Sequence, residues 1–536
     1  MMRITNAMMT SNTKNNINLN KLNEDRLNTQ IATGQVISRP SEDPVVAIRA
    51  LRLNTNLSQL NQYYKKNIPD AQAWLNVTET ALKQTDQIFT NIKENLTTGA
   101  SDTNTASDRQ KLLESLKGLR SELYSSGNAD YAERTVFTDY RTQKSLTFLE
   151  TDTDKNWNYQ IYETFDTTKC LDKVNYVSTY KAPANPGDEV NETTVQQKDI
   201  NRIRLAYDNL DEANNSKIDF NYYDGTGMSS FALTVKSISV SGLSQEDIDD
   251  IYMQDYGAEG ILIPETGEII LGSTAAQNIE KGAADPAAKD NPAYFTVSGT
   301  TGTKTGYNKK TWATDDLRPE HYFACIQTNP VTTEPSYYNF GQKKGPSGNM
   351  IPDADNPDFQ NKDMEVEISF NQKITINTHA NEVYTHDIGR DIDELINATQ
   401  AVVDVDDKIT ALEKKLAAAS DADKPAIQKE LDAANKEFSL KKDKMQKMFS
   451  QGLDTFAAYA DRNNLAIANI GSMQSRLSIT KERVADQLQS FKELADDNIN
   501  AELTESSIDF ANAKLALEAA QLAAGKIAQQ TLLNYL

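Results

Sequence analysis

This chain is poor in the residues that build reactive or cross-linked sites, with two cysteines, three histidines and three tryptophans in 536 residues. Cys170 and Cys325 are too few for a disulfide framework or a zinc cluster. Their wide separation gives no geometric ground for pairing them, so two free thiols are expected. His321, His379 and His386 show no metal-ligand spacing, and neither a Gly-x-Ser-x-Gly nor a His-Glu-x-x-His arrangement occurs. No catalytic, cofactor-binding or metal-binding residue is therefore assigned, and no cofactor is expected. Asp353, Asp355 and Asp358 lack the glycine that a calcium loop needs, and Gly225-Thr226-Gly227 is too short for a phosphate cradle.

Basic charge is scarce as well. The 55 Lys and Arg against 77 Asp and Glu leave a formal charge of -22, which opposes phosphate backbones and anionic lipid alike. No nucleic acid or membrane partner is expected. No run is long and apolar enough to span a bilayer. Met1 to Asn6 lacks the basic start, apolar run and small-residue cleavage site of a secretory signal. The residues alone point to a cytoplasmic protein, or to one exported without a cleaved signal.

Apolar residues make up only 38% of the chain and the mean hydropathy is -0.61, so much of the apolar surface must lie in narrow stripes. The 15 prolines and 23 glycines fall mostly in the middle. Residues 1–150 and 386–536 are instead rich in Ala, Leu, Asn and Gln at helical spacing. Leu19, Leu22, Leu27 and Ile31 fall on one side of a first helix that stops at Gly34. Asp43 and Pro44 then read as N-cap and first helical residue. Val46, Ala50, Leu53, Leu57, Leu60 and Tyr64 alternate spacings of four and three, which is a heptad seam. Pro69 is expected to interrupt it. A second seam runs Ala71, Leu75, Thr78, Leu82, Thr85, Phe89, Ile92, Leu96, and Leu112, Leu116, Leu119 and Leu123 begin another helix.

From 151 to 385 the pattern changes to strands, with one or two β subdomains divided or decorated by loop-rich tracts at 281–312 and 334–363. Phe231 to Lys236 alternates, Asp224 to Gly227 reads as a turn, and Ile261-Leu262-Ile263 and Ile269-Ile270-Leu271 flank a hairpin turn. Helical grammar returns at Ile388. A helical hairpin is expected at about 404–450, followed by a long helix and a break near 496–507. The last helix carries Phe510, Ala513, Leu517, Ala520, Ala524, Ile527 and Thr531 at heptad spacing, with Leu533 beyond. The expected fold class is multidomain α+β. Its N- and C-terminal helices form a coiled coil or bundle around an inserted, mainly β central region. Long amphipathic helices at both ends must pair with each other or with a neighbour, which points to assembly.

Arg3-Ile4-Thr5-Asn6, Thr33-Gly34, Arg39-Pro40-Ser41-Glu42-Asp43-Pro44, and the run through Asn67, Ala71, Leu75, Glu79 and Leu82 resemble the N-terminal region of the flagellin superfamily. Gly471 to Leu477 and Ala528 to Leu536 are similar to its C-terminal region. Glu42-Asp43-Pro44 stands where filament members usually carry paired Asp before Ala-Gly, and the Leu-Leu-Asn-Tyr-Leu ending resembles the hook-filament junction branch. The resemblance covers about half the chain and excludes the middle.

It implies a non-enzymatic structural protein, secreted unfolded through the flagellar export apparatus and located outside the cell in the flagellum. It also implies a ring of copies between hook and filament. The implied partners are other copies of the chain, a neighbouring hook-associated junction protein, flagellin and an export chaperone recognising the C-terminal region. The residues expected to form the assembly interface are Val46, Ala50, Leu53, Leu57, Leu60, Leu75, Leu82, Phe89, Phe510, Leu517, Ala520, Ala524, Ile527 and Leu533. A filament flagellin, or a secreted enzyme or adhesin on a flagellin-like scaffold, is the alternative.

Overall fold

A computed structural model describes residues 6–163, 170–181, 194–211, 216–223, 228–283, 295–299, 307–333, 335–338, 342–344, 350–352 and 363–533. The expected turn at Asp224 to Gly227 and the acidic cluster Asp353, Asp355 and Asp358 lie outside these residues. Apart from a single turn at Ala380–Val383, the α-helices among the described residues are α1 (Asn6–Thr33), α2 (Pro44–Gln62), α3 (Ile68–Gly99), α4 (Ala106–Gly127), α5 (Gln245–Met253), α6 (Ser273–Ala283), α7 (His386–Ala418), α8 (Lys424–Ile499) and α9 (Leu503–Leu533). With the central strands they give a multidomain α+β protein. Two compact units are formed, one of Met1–Gln72, Val366–Ile374 and Gln474–Leu536 and the other of Ala73–Glu365 and Thr375–Met473.

In the first unit, α1 and α9 run antiparallel. The crossing from α1 towards α2 is tied to the crossing from α8 to α9. Val36 N–H donates to the Ile499 carbonyl at 2.8 Å and Ala501 N–H to the Gly34 carbonyl at 2.9 Å. Gly34 sits at φ +68°, the left-handed conformation that suits a residue without Cβ at a helix end. The following turn is closed by carboxylates. Glu42 accepts from the amide and hydroxyl of Ser38, both at 2.8 Å, and these hydrogen bonds hold its carboxyl below the usual range. Asp43 caps α2 by accepting from the Val45 and Val46 amides at 2.9 and 3.1 Å, with Pro44 at the first helical position.

The expected interruption at Pro69 is not found. A π-helical turn at Tyr63–Asn67 carries α2 into α3, with Ile68 N–H bonding back five residues to the Tyr63 carbonyl. One extra residue is absorbed there, so Pro69 enters a ladder that has already shifted register, and the helix continues.

In the second unit, β1 (Asn158–Tyr162), β2 (Asp172–Val177), β3 (Gln197–Arg204), β4 (Ser216–Tyr223), β5 (Met228–Ser237), β6 (Gly260–Ile263), β7 (Glu268–Leu271), β8 (Phe295–Gly299), β9 (Tyr307–Lys309), β10 (Ala324–Thr328) and β11 (Pro335–Tyr338) form two sheets. The larger runs in the order β8-β4-β5-β6-β7-β3-β2 and the smaller β9-β1-β10-β11. The β5–β6 pair is parallel, with α5 in the connection between them. β6 and β7 form the expected hairpin, Ile261 opposite Ile270 and Leu262 opposite Ile269. Both strands are buried along their length, which accounts for unbroken apolar triplets where a half-exposed strand would alternate. Gly267 turns this hairpin at φ +62°. A Cβ there would lie 2.0 Å from the Tyr207 carbonyl oxygen, so the turn accepts only glycine.

Phe148, Tyr159, Tyr207 and Trp312 centre the core under these sheets, and Phe148 stacks on Trp312 with ring centroids 4.9 Å apart. Cys170 and Cys325 are buried in the same core and are not joined by a disulfide. An ionic clamp joins the larger sheet to α7. Arg202 pairs with Asp172, Glu268 and Glu394, and Arg204, two residues along the same strand face, pairs with Asp391 and Glu394. Charged hydrogen bonds among so many partners satisfy guanidinium groups that would be costly if left unpaired in a buried setting.

Candidate assembly interface

The three apolar seams meet different surroundings. In the second unit, Leu75, Leu82 and Phe89 on α3 have no exposed surface at all. Phe89 packs on Phe456 and Tyr459 of α8, and Asn463 of α8 donates to the Leu82 carbonyl at 2.9 Å inside the core. Near the far end, Gly99 lies under Phe449 of α8 and Leu112 of α4, where any Cβ would collide with both. Thr85 bonds the Tyr384 hydroxyl at 2.7 Å. α4 is fastened in turn to α7. Tyr124 donates to the Thr385 carbonyl at 2.8 Å and accepts from Gly389 N–H at 2.9 Å, while Arg120 pairs with Asp393. Thr78, Ile92 and Leu96 complete a ridge that the same chain covers, leaving it no free surface.

In the first unit the seams are half-open. On α2, Val46, Ala50, Leu53 and Leu57 are half-buried, and Leu60 is fully buried where the helix approaches its π-helical turn. On α9, Leu517 is buried and Phe510, Ala520, Ala524 and Ile527 are half-buried, with Ala513 buried between them. Leu533 closes the helix but its side chain lies outside the described residues.

The face of α1 towards α9 is only partly the one read from Leu19, Leu22, Leu27 and Ile31. Thr13, Ile17, Asn20, Glu24, Leu27 and Ile31 are half-buried or buried at alternating spacings of four and three, with Thr29 and Gln30 half-buried beside them, and Asn20 donates to the Ala516 carbonyl at 3.3 Å. Leu19 and Leu22 are exposed. A polar Asn and Glu within the seam hid its register, and the heptad that shows it appears only when Asn20 and Glu24 are counted as seam positions. Among the described side chains of α1, Leu27 alone is buried.

The histidines have structural surroundings. His379 lies between Asp139 and Asp363, at 2.7 and 3.1 Å, and the hydrogen bond to Asp139 is the main cause that raises its pKa. His386 is packed 5.4 Å from the Phe323 ring centroid, and burial lowers its pKa. His321 is buried beside the Ser145 carbonyl at 3.2 Å. Among the described residues no cluster of His, Cys, Asp and Glu is arranged to hold a metal ion.

Residues 4–142 match the family model of the bacterial flagellin N-terminal helical region. The likeness read from Ile4 to Leu82 is therefore borne out over that stretch. Over 143 residues, 26% of this chain and 45% of the relative, the sequence is 27% identical to flagellar hook-associated protein 3 of Salmonella typhimurium. It is 25% identical over 145 residues to a flagellin of Clostridium tyrobutyricum, spanning 27% of this chain and 36% of that one. The match thus spans less than half the length of either relative. Among solved structures, flagellar hook associated protein-3 of Legionella pneumophila aligns with 83% of this chain and 97% of its own, at 10% identity and a TM-score of 0.30.

Proposed function

We propose that this chain is a structural, non-enzymatic component of the bacterial flagellum, an adaptor at the hook-filament junction that polymerises through its terminal helices. The observation that carries this reading is the α1–α9 pair. These are two long helices from opposite ends of the chain, joined along one stripe and open along the rest. An amphipathic helix owes its order to packing rather than to propensity. A pair that buries so little by itself gains most of its order from further partners, and neighbouring copies in a ring supply them. The flagellin-type N-terminal stretch and the hook-associated protein 3 relative support the same reading.

On this reading the chain leaves the cell unfolded through the flagellar export route, escorted by a chaperone that recognises the C-terminal region. It then contacts its own copies, the adjoining hook-associated protein on one side and flagellin on the other. The half-open seams of α2 and α9 are its polymerising surfaces, and residues 151–385 are its outward domain. Replacing Leu517 and Ile527 by Asp places unpaired charge on the α9 stripe and is expected to abolish incorporation. Normal flagella built with that double variant would overturn the mechanism.

A filament flagellin is the second reading, favoured by the flagellin relative. Immunolabelling of flagella separates the two. Label confined to the base is expected, label along the whole filament would select flagellin, and unlabelled flagella would overturn both.

A further inference from the structure

The first unit carries two apolar ridges that its own chain leaves open. On α2, Val45, Ile48 and Leu51 lie on the side opposite the half-buried seam, and each is more than half exposed. Arg49 and Arg52 flank Ile48 on that side, both exposed, and neither has an ion-pair partner among the described residues. α2 contains no acidic residue. On α9, Ile508, Leu515 and Leu522 follow one another at intervals of seven on the side opposite Ala513 and Leu517, and each is again more than half exposed. This ridge is flanked by acid. Glu505 and Asp509 stand beside Ile508 and Glu518 stands one turn from Leu515, all exposed, whereas Lys514 adjoins Leu515 and Lys526 stands one turn beyond Leu522, so the acid edge is densest at the Ile508 end.

We infer that the outer face of α2 in one copy docks on the Ile508–Leu515–Leu522 ridge of α9 in a second copy. Within one chain both faces are open to solvent, so neither is the other's partner there. Between copies, an apolar strip edged with arginine meets an apolar strip edged with carboxylate, and burial and charge favour the same contact. The two faces differ, so the contact is heterologous. Each copy that uses its α2 face still offers its α9 ridge, and such head-to-tail addition gives a ring if the rotation closes and a helical array if it does not. This inference rests on the assembly reading above and names the surfaces that carry it. The exposed face of α1 around Leu19 and Leu22 is the rival occupant. Asn12, Asn15 and Asn18 break its apolar run, and it adds lysine to the same sign of charge.

The test uses full chains in flagellated cells that make two variants together, Ile48→Cys in one copy and Ile508→Cys in the other, with a short bis-maleimide applied to isolated flagella. Cys170 and Cys325 are buried and do not compete. A dimer cross-linked between the two variants is expected. Arg49→Glu with Arg52→Glu in the first copy should lower its yield at least about tenfold, and Glu505→Arg with Asp509→Arg in the second should restore it. Incorporation of both variants without a cross-link would overturn the pairing and leave the assembly reading standing. A cross-link from Leu19→Cys in place of Ile48→Cys would replace α2 by α1. Failure of the natural chain to enter flagella at all would overturn the assembly reading itself.

Discussion

α3 and α9 are written in the same heptad pattern and meet opposite fates. The α3 ridge from Leu75 to Leu96 is closed over by its own chain, with no exposed surface at Leu75, Leu82, Phe89, Ile92 or Leu96. The α9 ridge is half-shut by α1, and a second apolar ridge behind it faces solvent. A heptad states that a helix face will be covered but not what covers it. That depends on how many helices stand around it. α3 has α4 and α8 beside it, and α4 is fastened to α7, so its surroundings form a bundle. The packing of α9 comes from α1, a helix with a single buried side chain. The first arrangement is a folding core, and the second is the kind of surface that a polymer consumes.

The largest effect that would sharpen this contrast is at Phe89. Phe89→Ala should cost about 3–5 kcal/mol in the cooperative unfolding of the isolated chain, because Phe456 and Tyr459 cannot collapse into the space. Leu515→Ala, on the solvent-facing ridge of α9, should move that same transition by less than about 0.5 kcal/mol and register instead in assembly. Equal losses in denaturant unfolding would erase the distinction between the two seams.

The second test concerns pH. Burial pushes the Glu163 carboxyl up to about 7, against the hydrogen bonds that it accepts from the Tyr307 hydroxyl and the Ala206 amide. Its folded pKa lies above its ordinary 4.5, so its contribution to stability is whole below that value and is lost as pH rises through about 7. Glu163→Gln should remove that dependence, with natural and variant chains differing more in denaturant midpoint at about pH 8 than at about pH 5. Parallel midpoints across the range would show that the group is not held neutral.

The smallest effect is at the other unit. Gly34→Ala meets open space but must adopt φ +68°, which costs about 1 kcal/mol. Faster hydrogen exchange at Val36 and Ala501, whose amides bond across that crossing, is the measurement. Unchanged exchange would mean that the crossing does not hold α1 against α9.

Much of this organisation was legible in the residues. The seams on α2, α3 and α9, the cap at Asp43 and Pro44, the β6–β7 hairpin and the break before α9 all follow from local rules of spacing, capping and turn chemistry. Four features did not. The second arm of the hairpin expected at about 404–450 and the long helix expected after it are one continuous helix, α8. Pro69 was read as a break because proline removes a backbone donor, and nothing local signals the π-helical turn that makes room for it. The α1 face was half misplaced because its seam contains Asn20 and Glu24: Leu27 and Ile31 lie on it, while Leu19 and Leu22 point outward. The Arg202 and Arg204 clamp on α7 was invisible, since its partners at Asp391 and Glu394 lie nearly two hundred residues away along the chain.

The order of amino acids by itself determined that both ends would be amphipathic helices with apolar ridges and that the middle would carry the strands. Tertiary structure alone decided which ridges became core and which stayed open. The reason is physical: periodicity is a property of one helix, whereas burial is a property of the several helices that happen to surround it.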